Sequence, residues 1–531
     1  MPERPPLRVD QLLDRGEPDR PALTYRDETL TYARLADQVS RVAAGLRAAG
    51  VGRGDRIAVY AEKRLETVVT LLAAAAAGAV FVPLNPLFRA GQVRQVVADC
   101  APRLLVTTGE RRATVEAALA DAVDGPAAAT EPPPRVVAFG TPEWGRWLAA
   151  EPLDRHAPGP VIDQDPAAIL YTSGSTGGPK GVLLSHANLL AGAASVAGYL
   201  RHTPDDVLLG ALPLSFDAGL SQLTTALVAG AHLVLANYLR PAQLVRLCAR
   251  HRVTGLTCVP PLWLRLAAER WPAEATTALR YFANTGGRLP RATLDTLRRI
   301  FPAAEPYLMY GLTEAFRSTY LDPAQVDRRP DSIGKAVPNA EILLVRPDGT
   351  ACEPGEHGEL VHRGALVALG YWRDPERTAR RFRPLPGEPL AGRPETAVWS
   401  GDIAYRDEEG YLYFVGRDDD LIKTSGYRVS PTEVEEAAYA SGLVGEAVAF
   451  GVPDEELGQR IVLLVAATDD GPGPSVPELR GALAATLPAY MVPAHIEVRA
   501  ELPRSVNGKF DRAALRRTVR ATPPASQEVP C

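Results

Sequence analysis

The sequence predicts an α/β fold: a large N-terminal domain of layered α/β sheets with a β-barrel-like part, and a small α+β C-terminal domain. Three observations predict it. Helix-period and strand-like runs alternate through the first half of the chain. From Gly349 to Phe414 the texture changes to short β-rich pieces with Gly turns, such as GELVHRG and GYLYFVG. After about residue 420 a fresh alternation begins, enough for a C-terminal domain of ~110 residues, a normal domain size. A chain of 531 residues exceeds one hydrophobic core. The expected division is 1–418 and 419–531.

The elements follow in order. Ala33 to Ala49 has helical period and is stopped by Gly50. Arg56 to Tyr60 reads as a strand, Glu66 to Ala77 as a helix and Val80 to Pro83 as a strand. The stretch TVVTLLAAAAAGAVFVPL is Ala-rich, contains Gly78 and breaks at Pro83. It reads as a buried helix followed by a strand, with no membrane span. Strand-like runs recur at CAPRLLVTT, VLLGALP and GAHLVLA, then a helix at PAQLVRLCARHRV and a strand at TGLTCVP. Residues 124–137 and 383–399 are Pro-rich and read as surface loops. In the last unit SPTEVEEAAYAS and PELRGALAATL read as helices, with strands at EAVAFGV and RIVLLVAAT.

Bulk properties exclude several classes. The net charge is −5, which gives no electrostatic case for nucleic acid or an anionic membrane as partner. The 5 cysteines are scattered and form no CxxC pair. That argues against a disulfide framework or zinc site and suits a reducing cytoplasm. The N-terminus lacks the apolar core of a signal peptide.

The strongest local signal is AAILYTSGSTGGPKGVLLSHANLL, 167–190. An apolar strand runs into Thr172, Ser173, Gly174, Ser175, Thr176 and Gly177, and Lys180 stands at the exit. Such a loop offers hydroxyls, unhindered backbone N–H groups and one cation, which suit polyphosphate oxygens. It is not the common P-loop, because Lys180 precedes a strand-like VLLS and opens no helix. A flexible linker would not need a strand on each side.

YTSGSTGGPKG resembles the phosphate loop of the AMP-forming acid:thiol ligases, the superfamily of acyl-CoA synthetases, amino-acid adenylation domains and luciferases. The resemblance continues in order along nearly the whole chain. AAAAAGAVFVPLNP, NTGGRLP at 284–290, YGLTE at 310–314, WSGDIAY at 399–405, GYLYFVGRDDDLIKTSGYRVSPTEVE at 410–435 and PRSVNGKFDR at 503–512 resemble successive family motifs. The texture at FANTGGRLP and MYGLTEAFRSTYL is similar to a bacterial acyl-CoA ligase subgroup.

The resemblance implies ATP and Mg2+, an acyl-adenylate with release of pyrophosphate, and then transfer to a thiol with release of AMP. A luciferase-like or amide-forming enzyme would share only the first half. It implies Glu314 as magnesium ligand, with Thr313 and Thr176 on the phosphates. Gly286 and Gly287 would hold the adenine, and Tyr310 and Gly311 belong to the nucleotide motif. Asp402, assisted by Arg417, would accept the ribose hydroxyls. Lys509 would bridge carboxylate and α-phosphate from a mobile domain hinged at Asp419. Lys423 and Gly426 would then approach the thiol.

The acid pocket is implied by PLSFDAGLS. Phe216 matches a gating aromatic and Asp217 an ammonium-binding aspartate of the amino-acid-activating branch. The other reading of Asp217 is the N-cap of a helix starting near Ala218. Arg317 either pairs with a second substrate carboxylate or forms a structural ion pair. Met309, Asn284 and Ser221 are further wall candidates. The acid is expected to be an amino or dicarboxylic acid. No carrier module is expected after Arg512, so the acceptor is expected to be CoA or the phosphopantetheine of a discrete acyl or peptidyl carrier protein.

Overall fold

The computed structural model describes residues 6–120, 133–157, 160–173, 179–385, 395–417, 420–424, 427–454, 457–467, 475–505 and 508–520. Two large sheets carry the N-terminal part. The first has nine strands, with 21–25, 232–235, 207–210, 255–258, 281–284 and 305–310 running parallel in that spatial order. The second has seven, with 166–173, 80–83, 56–60, 104–107 and 135–138 parallel. The strand 179–185 folds back antiparallel on 166–173.

One apolar cluster joins the facing sides of both sheets through the helices 32–48, 65–77, 186–199 and 217–229. Apolar residues surround the helix 65–77 on every side, as its Ala-rich sequence requires; Leu65 and Thr67–Ala77 are buried. Helices 241–251, 260–267 and 291–300 cover the outer face of the first sheet. Helices 90–100 and 112–120 cover that of the second. A third, antiparallel sheet holds strands 340–345, 358–364, 382–384, 396–406 and 412–417. The C-terminal sheet holds 422–424, 427–429, 446–454, 458–466 and 495–499, with helices 431–440 and 476–486 packed on it.

Several boundaries differ from expectation. The first helix is 32–48 and its C-cap is Ala49, with Gly50 one residue beyond. The end of the expected loop 124–137 is a strand, because Arg135–Ala138 adds to the sheet edge beside 104–107. Both ends of the expected loop 383–399 are strands, Phe382–Pro384 and Thr396–Arg406, paired with one another. Arg135–Ala138 and Phe382–Pro384 are edge strands of four and three residues, too short to show a period. Among the described residues no helix is long and apolar enough to cross a membrane.

Candidate active site

A cavity of about 410 Å3 opens at the carboxyl ends of strands from both large sheets, where ligands bind in open α/β sheets. The register of the 166–173/179–185 hairpin sets Thr172 opposite Lys180, and both line the cavity. Lys180 Nζ donates to Glu314 Oε1 at 2.7 Å and to Tyr371 Oη at 3.1 Å. Tyr371 Oη donates to the same Oε1 at 2.6 Å. Burial alone would raise the Glu314 pKa. The charges of Lys180 and Arg381 and these hydrogen bonds outweigh it and hold the carboxyl at about 2. Both bonds fall on Oε1, so an ionised Oε2 is left for a hard cation beside phosphate oxygens.

A second set of charges lies on the third sheet. Asp402 is directly opposite Arg417 in the antiparallel register, so both side chains leave the same face. Arg417 Nε is 3.3 Å from Asp402 Oδ1, and Tyr310 Oη donates to Oδ2. Burial pushes the Asp402 carboxyl up, while Arg417 and Tyr310 pull it back. These oxygens can accept further hydroxyls. Gly286 turns the chain after strand 281–284 at φ +79°. A Cβ there would meet Lys509 Cε at 3.0 Å, so Gly serves both the left-handed turn and the approach of the lysine. Asn284 Nδ2 closes the turn on Gly287 O at 2.8 Å, and its Oδ1 has no partner.

Lys509 reaches this cavity from the C-terminal sheet's side. Its Nζ lies 5.3 Å from the centre of the Phe216 ring. Burial lowers its pKa, and the Asp217 and Asp402 charges oppose that shift.

The acid-bearing loop is clamped from below. Lys63 Nζ donates to Ala211 O at 2.7 Å and Leu212 O at 3.2 Å. Gln222 receives Leu212 N at 3.1 Å and donates to Leu209 O and Thr257 O. A Cβ at Gly219 would fall 1.9 Å from Pro213 O, so only glycine allows this packing. Asp217 is the first residue of the helix, and the N-cap is Phe216, with no side-chain cap hydrogen bond. The capping reading is therefore corrected. Asp217 is buried, its Oδ1 has no partner, and burial raises its pKa.

Arg317 follows a γ-turn at Phe316, φ +56° and ψ −58°, closed by Arg317 N on Ala315 O. A buried Phe in that region is strained. Its ring is held where Gly192 leaves room, since a Cβ there would lie 2.5 Å away. Arg317 Nη1 donates to Thr285 Oγ1, and Nε has no partner.

The match to known proteins decides the family. An AMP-binding enzyme model matches residues 13–372, and an AMP-binding enzyme C-terminal domain model matches 433–509. The chain belongs to the AMP-binding enzyme family.

It is an AMP-forming acid–thiol ligase of that family. It is 31% identical over 97% of its length to an indoleacetate–CoA ligase of Aromatoleum aromaticum, covering 98% of that protein. It is 33% identical over 95% of its length to a feruloyl-CoA synthase of Amycolatopsis, covering 96% of it. Its fold matches the Bacillus subtilis O-succinylbenzoate coenzyme A synthetase in complex with ATP and magnesium, with TM-score 0.81 and 27% identity, covering 96% of this chain and 99% of that one.

Within this family member, the 410 Å3 cavity gathers most sequence-expected site residues: Thr172, Lys180, Phe216, Asn284, Gly286, Gly287, Met309, Tyr310, Gly311, Thr313, Glu314, Asp402, Arg417 and Lys509. Ser221, Met309 and Arg317 line a smaller cavity beyond it. Gly174, Ser175, Thr176, Gly177, Asp419 and Gly426 lie outside the described residues, as do the side chains of Ser173 and Lys423. Sequence reasoning missed Arg381, Tyr371 and Lys63. Arg381 sits in an arginine-rich helix end, PERTARR, where nothing local separates it from solvated neighbours.

Proposed function

We propose that this ligase activates a small ammonium-bearing carboxylic acid with ATP and Mg2+ and passes it to the thiol of CoA or of a discrete carrier protein. The observation that carries it is the convergence of Lys509, Asp402 and the Lys180–Glu314 pair on one cavity. In the first half-reaction a carboxylate oxygen bonds to the α-phosphorus and pyrophosphate leaves. In the second the thiolate bonds to the acyl carbon and AMP leaves.

Glu314 Oε2 would hold the magnesium, which supplies charge neutralisation at the phosphates. Thr313, Thr172 and the 173–177 segment would donate to phosphate oxygens, and Lys180 would exchange part of its bond to Glu314 for them. Asp402 and Arg417 would take the ribose, and the Gly286–Gly287 turn the adenine edge, against Tyr310. Lys509 would neutralise the charge that builds between carboxylate and α-phosphate. Asp217 would take the substrate ammonium, which satisfies its unpartnered Oδ1.

A division at 418/419 with a hinge at Asp419 fits the same reading. Lys509 within the cavity supports the adenylating orientation. Rotation of the small domain would withdraw it and admit the thiol. A cytoplasmic setting suits four buried free thiols. Acid-dependent pyrophosphate exchange over fatty, aryl, amino and dicarboxylic acids tests the proposal. Exchange with amino acids supports it; exchange with unsubstituted fatty acids alone overturns the Asp217 assignment.

A further inference from the structure

A second, small cavity of about 20 Å3 adjoins the site and shares Met309 with it. Ala218, Ser221, Met309 and Arg317 line it, with His202 and Tyr281. Its volume is on the order of one water. Tyr199 fixes the wall: its hydroxyl donates to Met309 Sδ at 2.9 Å and its ring stacks on Tyr320 at 4.2 Å. A fatty chain or an aromatic ring has no room there.

Arg317 lines this small cavity, and Asp217 stands in sequence between Phe216, which lines the large cavity, and Ala218, which lines the small one. Arg317 is 2% exposed and Asp217 is 4% exposed. Each has a buried polar atom without a partner, Arg317 Nε and Asp217 Oδ1. The two groups feel one another's charge, yet no N···O approach within 4.0 Å joins them. A pair that served only to neutralise itself would close to contact. Thr285 and the Tyr199 hydroxyl hold the guanidinium, which follows the strained Phe316 turn. A buried cation and a buried anion held apart, each with an open hydrogen-bonding atom, form a receptor for a short zwitterion.

We propose that the acid is a short amino dicarboxylate: its ammonium meets Asp217, its second carboxylate meets Arg317, and the remaining carboxylate reacts beside Lys509. This rests on the adenylation reading above. An acid lacking the second anion would leave Arg317 desolvated and unpaired. An acid lacking the ammonium would leave Asp217 so.

The test is pyrophosphate exchange with aspartate, glutamate, succinate, β-alanine, alanine and propionate, then with one fatty and one aryl acid. An amino dicarboxylate is expected to exceed every other acid by about 100-fold in kcat/KM, the usual cost of a buried charge left unpaired. Arg317→Met collapses the preference for the second carboxylate, and Arg317→Lys restores part of it. Asp217→Asn collapses the preference for the amine. ATP binding by calorimetry and the melting temperature show that each variant is folded. Equal use of β-alanine, alanine or succinate by the wild-type enzyme overturns the inference. So does an Arg317→Met variant that binds ATP and loses all acids equally. Exchange with only the fatty or aryl acid overturns this inference and leaves adenylation standing. No exchange with any acid overturns both.

Discussion

Lys63→Met removes a buried amine that holds the two carbonyls just ahead of Phe216 and Asp217. Burial brings the Lys63 pKa from 10.5 down to about 7. That displacement corresponds to about 5 kcal/mol at ~1.36 kcal/mol per unit. The sign follows from linkage. Between about pH 7 and the unfolded value of 10.5 the unfolded chain binds this proton and the folded one does not. Stability from this group therefore rises with pH through that window, by about 1.4 kcal/mol per unit, and is lost as pH falls through about 7. Methionine has no such slope. Wild type should gain about 3 kcal/mol on the variant between about pH 7.5 and 9.5, read by denaturant unfolding at constant ionic strength. The same variant loses two carbonyl hydrogen bonds, each about 1 kcal/mol net. The KM of the acid should rise about tenfold, and that of ATP much less. Identical pH slopes for both proteins, or equal rises in both KM values, refute the clamp.

Lys509→Ala should cut adenylation by ~100- to 1000-fold, the scale of losing one transition-state charge donor. Thioester formation from a supplied adenylate should be spared; equal loss of both half-reactions in a two-step assay contradicts the role. Glu314→Gln should raise the Mg2+ concentration needed for half-maximal exchange, and an unchanged magnesium titration contradicts the ligand assignment. Gly286→Ala puts a Cβ at φ +79° and at 3.0 Å from Lys509 Cε. It should cost ~1–2 kcal/mol of stability by melting and slow adenylation more than thiol transfer; an unaltered ratio of the two rates speaks against the contact.

The phosphate hairpin was legible because its sequence is local: an apolar strand, a Thr/Ser/Gly run and one Lys. The Ala-rich helix was legible because burial on all sides needs small apolar residues throughout. Asp217 was legible as an acid in an apolar run, but its place at the first helical turn, uncapping, was not. Whether a carboxylate caps or faces a cavity depends on a few torsions that its neighbours leave open. The electrostatic interaction of Arg317 with Asp217 joins a turn to a helix start 100 positions away, and nothing local announces it. Lys63, Tyr371 and Arg381 were missed for the same reason, since each acts on a distant segment.

The most direct measurement supplies ATP, Mg2+, an amino dicarboxylate and CoA, and identifies every product. The predicted result is AMP, pyrophosphate and an acyl thioester in equal amounts, with none formed when the acid is withheld. Release of ADP and phosphate, or AMP formation that ignores the acid, contradicts it.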